Sequence, residues 1–237
     1  MNKAELKQTV TKIKKFLKQR DYKAIDTGIE LARGLNEPAV FEALLGGWSI
    51  DEEGVLVLER GFAGDTLTKQ WSEQSWPYFA YALVNLIAHA PEDTGVDPSL
   101  ARSAIKTLDL RKANFKQGSR WNSKWVGWTE LPAALSEFTE LTSLNLDSCG
   151  ALQNVDGLAN CTQLTTLGLS HCEDLENVDG LAKLTQLTSL DLSHCEDLEN
   201  VEGLSNCTQL TTLNLNECRS LQNVDGLTNC TQLTELK

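Results

Sequence analysis

A single spacing constrains this chain more than any other feature. The segments LTSLNLDSC, LTTLGLSHC, LTSLDLSHC and LTTLNLNEC begin at Leu141, Leu164, Leu187 and Leu210, and LTELK restarts the pattern at Leu233. The period is 23 residues with no insertion, and each unit reads LTxLxLxxCxxLxNVxGLxxxTQ. A fixed period of this length means one supersecondary unit stacked on copies of itself.

The spacing within a unit says how it folds. Leucines at unit positions 4 and 6 alternate with polar residues, the pattern of a short strand with one buried face. The apolar residues at positions 12, 15 and 18 return the chain around the same core. One such unit cannot bury its face alone, so neighbours must stack.

These residues resemble the leucine-rich repeat, whose pattern LxxLxLxx(N/C)xL is matched in all four full units. The even period and the VxGL return segment are similar to internalin-type bacterial repeats, and the Cys at the Asn position is similar to cysteine-containing variants. The resemblance implies an α/β solenoid with a parallel sheet on its concave face and short helical turns behind. Upstream, IKTLDLRKANF at 105–115 fits the strand half of a unit, and WTELPAALSEFTE at 128–140 fits a return half with Leu131, Leu135 and Phe138 in core positions. Between them lies the insert KQGSRWNSKWVG, so 105–140 reads as a modified first repeat ahead of the regular array at 141–237.

Residues 1–104 read as a separate, mainly helical domain. Leu6, Val10, Ile13 and Leu17 fall at helical spacing among lysines, DYKAIDTGIELARGL opens on an Asp cap, EPAVFEALL places Pro38 in a first turn, and WPYFAYALVNLIAHA is strongly apolar. The Gly-rich run LLGGWSIDEEGVLVLERGFAG suggests a small hairpin between helices. Phrases such as SLARSAIKTLDL resemble HEAT-like helical regions that precede bacterial repeat arrays, a resemblance that names no activity; physically, the helices would cover the first sheet edge and keep it from pairing with another chain.

The stretch LSHCEDLENV occurs twice, at 169–178 and 192–201. It raises the question of a catalytic or metal cluster. Stacking turns each unit position into a ladder with rungs about 4.8 Å apart. Cys149, Cys172, Cys195 and Cys218 form one ladder, and Cys161, Cys207 and Cys230 form another in which Leu184 replaces the missing thiol. Leucine as a substitute indicates an apolar setting, and the chain holds no CxxC pair of the kind zinc sites favour. Seven cysteines without an export signal point to reduced thiols in a cytoplasmic setting. The NCT triplets at Asn160, Asn206 and Asn229 are assigned to turn chemistry. Ser170 and Ser193 adjoin histidines, but adjacent strand residues point to opposite faces and cannot share a proton. Neither a metal site nor a cofactor is expected.

The surfaces carry what remains. The expected concave face presents Asn145, Asp147, Asp191, Asn214 and Asn216, together with the position-8 ladder Ser148, His171, His194, Glu217. An acidic edge presents Glu173, Asp174, Glu196 and Asp197, and Asp156, Asp179 and Asp225 are candidate caps for the return turns. The net charge of −12 is concentrated here: residues 141–237 hold 14 acids and 3 bases. That excludes a phosphate-backbone surface on the array and suits a basic protein partner. Trp121, Trp125 and Trp128 in or beside the insert read as packing over the first coil, with a recognition loop as the other reading. No segment of the sequence is apolar enough to span a membrane.

The sequence therefore leads to a protein-interaction module without catalysis, one whose partner it does not name. Two alternatives stay open: the substrate-recruiting part of a larger effector or enzyme, and a metal- or pH-responsive binder using His171, His194 and Glu217. Self-association through the C-terminal coil is a further expectation.

Overall fold

The computed structural model describes residues 1–19, 21–45, 48–50, 56–58, 76–91, 105–110, 114–119 and 122–237, with 48–50, 56–58, 76–80, 83, 109, 114–119 and 122–127 described in backbone only. The chain divides into two units, Met1–Ile105 and Lys106–Lys237.

Among the described residues, the first unit holds four helices: α1 (Lys3–Leu17), α2 (Tyr22–Leu35), α3 (Pro38–Leu45) and α4 (Trp76–His89). Asn2 starts α1 with a capping box, its Oδ1 accepting from the N–H groups of Ala4 and Glu5 while the Glu5 carboxylate accepts from the Asn2 N–H. Asp21 caps α2 in the same manner. The helix stops at Asn36, whose left-handed φ of 48° makes the closing turn. Val10, Ile13, Leu17, Ile25, Ile29, Phe41, Leu44, Leu86 and Ile87 close the core between these helices. Tyr81 on α4 donates from its hydroxyl to Asp26 Oδ1 on α2 at 2.8 Å. The Gly-rich run does hold a two-stranded antiparallel pair, β1 (Trp48–Ile50) with β2 (Leu56–Leu58).

The second unit is a coil of repeats. Among the described residues, a parallel sheet of six strands runs in the order β3 (Thr107–Asp109), β6 (Ser143–Asn145), β7 (Thr166–Gly168), β8 (Ser189–Asp191), β9 (Thr212–Asn214) and β10 (Glu235–Leu236). From β6 onward each residue pairs with its own repeat equivalent, Ser143 with Thr166, Ser189, Thr212 and Glu235 in turn. Thr107 pairs with Ser143, 36 positions on, so the first coil is the longer one. The extra length is an antiparallel hairpin, β4 (Asn114–Ser119) with β5 (Asn122–Gly127), which contains the insert. Trp128 is buried at its foot; Arg120 and Trp121 lie outside the described residues, and Trp125 is described in backbone only.

Each coil returns through a short 3-10 turn, at Ala133–Glu137, Asp156–Leu158, Asp179–Leu181, Glu202–Leu204 and Asp225–Leu227. The core is a column of leucines: Leu144, Leu167, Leu190 and Leu213 from the strands meet Leu152, Leu175 and Leu198 from the return side, all of them buried. Val155, Val178 and Val201 complete the column. Burying each leucine contributes on the order of 2 kcal/mol, which is how strands of three residues can persist.

Between coils, polar side chains run as ladders as regular as the leucines. The hydroxyls of Thr165, Thr188, Thr211 and Thr234 each donate to the carbonyl of the threonine one coil before, at 3.0 to 3.2 Å. The thiols of Cys172, Cys195 and Cys218 donate to Leu146, Leu169 and Leu192 carbonyls at 3.5, 3.3 and 3.1 Å. The second thiol ladder does likewise, Cys161 to Leu135 and Cys230 to Leu204. All seven cysteines are free. Burial pushes the thiols of Cys161 and Cys207 up to about 11 and raises those of Cys172 and Cys195 strongly, so these groups stay protonated and apolar.

The return turns hold one correction. The residues expected to cap them, Asp156, Asp179 and Asp225, make no side-chain cap bond. The cap comes from two residues earlier: Asn154, Asn177, Asn200 and Asn223 accept through Oδ1 from the N–H of Asp156, Asp179, Glu202 and Asp225 at 3.1 to 3.2 Å. An Asx turn satisfies an N–H that the short turn leaves without a backbone partner.

Candidate functional site: the strand ends and the ledge beyond them

The candidate concave residues sit on and just after strands β6 to β9. At unit position 5 the side chain bends back onto its own chain. Asn145 Oδ1 accepts from the Asp147 N–H at 2.9 Å, Asp191 Oδ1 from the Ser193 N–H at 2.9 Å, and Asn214 Oδ1 from the Asn216 N–H at 3.1 Å. The second repeat has Gly168 there and cannot make this bond. Its Ser170 N–H is satisfied instead by Asp147 Oδ1, reaching across from the coil before at 3.0 Å. Ser193 Oγ lies 2.6 Å from Asp191 Oδ1 and 3.0 Å from Ser170 Oγ. Four of the five concave-strand candidates, Asn145, Asp147, Asp191 and Asn214, are therefore engaged in fixing the backbone at the strand ends.

That fixed backbone positions unit position 8. Ser148, His171, His194 and Glu217 all have left-handed φ angles of 59 to 64°. The N–H groups of Ser148, His171 and His194 donate to the carbonyls of Ser170, Ser193 and Asn216 on the next coil at 2.7 to 2.8 Å. A non-glycine residue in this conformation costs about 1 kcal/mol or more, so four in register require a structure that holds them there.

The two imidazoles stack, with centroids 4.2 Å apart and planes within 6°. Nitrogen lone pairs lie in the ring plane, and parallel planes do not aim them at one point. Glu217 points elsewhere, its carboxylate binding Arg219 Nη2 at 2.9 Å. Among the described residues no group of three His, Cys, Asp or Glu side chains is arranged to hold a metal ion. The structure thus brings His171, exposed, and His194, half-buried, together as a flat ledge, with the Glu217 carboxylate engaged by Arg219 instead.

Glu173, Asp174, Glu196 and Asp197 lie on the segment after this ledge, tied coil to coil by backbone bonds from Asp174 to Gly150, Asp197 to Glu173 and Ser220 to Glu196. Arg219 was not singled out from the sequence, yet it joins the ledge to the edge, contacting Glu217 and lying 3.6 Å from Glu196. The available signal was positional: Arg219 occupies the unit position held by Gly150, Glu173 and Glu196. Asn216 is exposed, and its N–H is the one that Asn214 holds.

The repeat register, the single-file leucine core and the strand-turn geometry settle the architecture. The array is a leucine-rich-repeat solenoid. No family model matches the chain, and no curated protein matches it. Among solved structures, the chain is similar to an internalin, InlF, from Listeria monocytogenes, at 22% identity and a TM-score of 0.47, over 66% of this chain and 41% of that one. It is also similar to internalin C2, InlC2, from the same organism, at 17% identity and a TM-score of 0.30, over 66% of this chain and 91% of that one. The chain thus spans less than half the length of the first of these structures. Among the described residues, no helix is long and apolar enough to cross a membrane.

Proposed function

We propose that the solenoid recognises a protein through the ledge formed by His171 and His194, with Glu217, Arg219 and the adjoining acidic edge as its flank. The observation that carries this reading is the stacked histidine pair on a backbone strained into the left-handed region and locked by bonds to the next coil. Side chains held in one arrangement before binding lose little freedom on binding, which is where affinity is otherwise spent. The concave strand residues act beneath it as the support that holds the ledge.

The partner this surface suits is basic, since residues 141–237 carry 14 acids against 3 bases and repel phosphate backbones. Buried, protonated thiols are at home in a reducing, cytoplasmic compartment. Recognition, rather than chemistry, is the role we assign to the array itself.

The test is affinity capture from cell extract with the wild type and a His171→Asn/His194→Asn/Glu217→Lys variant. Asparagine tolerates the left-handed conformation, so the variant keeps its fold, checked by thermal melting. A partner held by the wild type and lost by the folded variant supports the reading. Equal retention by both sinks it.

A further inference from the structure

A second surface lies on the helical unit. Between α1 and α3 an open groove of about 410 Å³ has Leu6, Val10 and Ala43 as its apolar floor and Lys3, Lys7 and Lys14 along its border. Lys3 and Lys7 have no ion pair among the described residues, and residues 1–19 carry six lysines to one acid. The apolar side of α1 is already spent, because Val10, Ile13 and Leu17 are buried in the helical core. The groove therefore offers positive charge over a shallow floor and no helix face free to enter a lipid layer.

This chain supplies a matching surface. Asp156, Asp179, Glu202 and Asp225 are exposed in one row across four successive coils of the repeat array, with Glu176 and Glu199 beside them, all without ion pairs among the described residues. Successive rungs are about 4.8 Å apart. Lysines at positions 3, 7 and 14 of a helix span about 16 Å, three to four rungs. The methylenes of the glutamates can cover the groove floor while their carboxylates meet the lysine border.

We propose that this groove takes the acidic side of the repeat array of a second copy of the chain, in a head-to-tail association. Such a contact is heterologous, so it propagates into short open chains rather than closing as a two-fold dimer. It holds whether or not the histidine ledge binds a partner.

The experiment is the molar mass of the purified chain by light scattering, over about a hundredfold range of concentration, at about 20 mM and about 500 mM salt. Mass is expected to rise with concentration at low salt, and the association to weaken at least about tenfold at high salt. Lys3→Glu/Lys7→Glu and Glu176→Lys/Glu199→Lys variants, with unchanged melting temperatures, should each stay monomeric alone and associate when mixed. A monomer at every concentration overturns the proposal, including the case where the two surfaces pair within one copy. Association that survives both charge reversals also overturns it and moves self-association to another surface, such as the C-terminal coil.

Discussion

Asp147 Oδ1 holds the Ser170 N–H at 3.0 Å, doing for the second repeat what Asn145, Asp191 and Asn214 do within their own. The reach is feasible because Gly168 leaves the space open: a Cβ there would stand 2.7 Å from the same oxygen. The pair predicts a specific coupling. Gly168→Asn alone displaces the carboxylate and should cost about 1–2 kcal/mol. Combined with Asp147→Ser, the new asparagine can make the bond its equivalents make, and the double variant should recover at least about 1 kcal/mol in a urea-melt cycle. Simple additivity would contradict the exchange.

A second glycine requirement lies in the return turns. A Cβ on Gly203 would overlap the backbone carbonyl of Val178, an atom that cannot move aside without opening the coil contact. Gly203→Ala is expected to cost about 3 kcal/mol or more by chemical denaturation. Gly34→Ala is the control: nothing lies within 4 Å of its Cβ position, it sits in α2, and the change should stabilise by up to about 1 kcal/mol.

The cap assignment separates two neighbouring residues. Asn177→Ala removes the acceptor for the Asp179 N–H and should cost about 1 kcal/mol, whereas Asp179→Ala should change stability by less than about 0.5 kcal/mol. Equal losses in thermal melts would return the cap to the aspartate.

The buried thiols give the array an alkaline limit. Cys161 and Cys207 titrate at about 11 in the folded chain. Unfolded, they lose the proton near the ordinary thiol value of about 8.5. A folded pKa raised in this way contributes stability in full below the unfolded value, and that stability is lost as pH rises toward the folded one. Urea melts at pH 8 and pH 10 should therefore differ, with each thiol contributing a loss of up to about 1.4 kcal/mol per pH unit in that window. At neutral pH a thiol reagent should react with these two cysteines only on unfolding. Rapid labelling of the folded chain would contradict their burial.

How much of this was legible in the sequence follows from which forces repeat. The leucine spacing is set by burial, burial recurs every 23 residues, and so strand register, core and thiol ladders could all be read before the fold was known. The residue types at position 5 were legible as a polar row, but their direction was not. Asn145, Asp191 and Asn214 could as well have faced a partner, and only the strand-end N–H they satisfy shows that they are structural. The left-handed backbone at His171 and His194 left no sequence mark, since glycine and asparagine, the usual signals, are absent from that ladder. Arg219 was hidden for the opposite reason: it breaks the repeat pattern, and the pattern was the guide.

The central claim is that recognition occurs on the histidine ledge, and site-specific photo-crosslinking tests it most directly. A photoreactive benzophenone side chain is placed at His194, and in a second protein at Thr208, an exposed residue after the return turn. In cell extract, a discrete protein adduct from the His194 position and none from Thr208 is the expected result. An adduct from Thr208 alone would place the binding surface elsewhere on the solenoid and contradict the account.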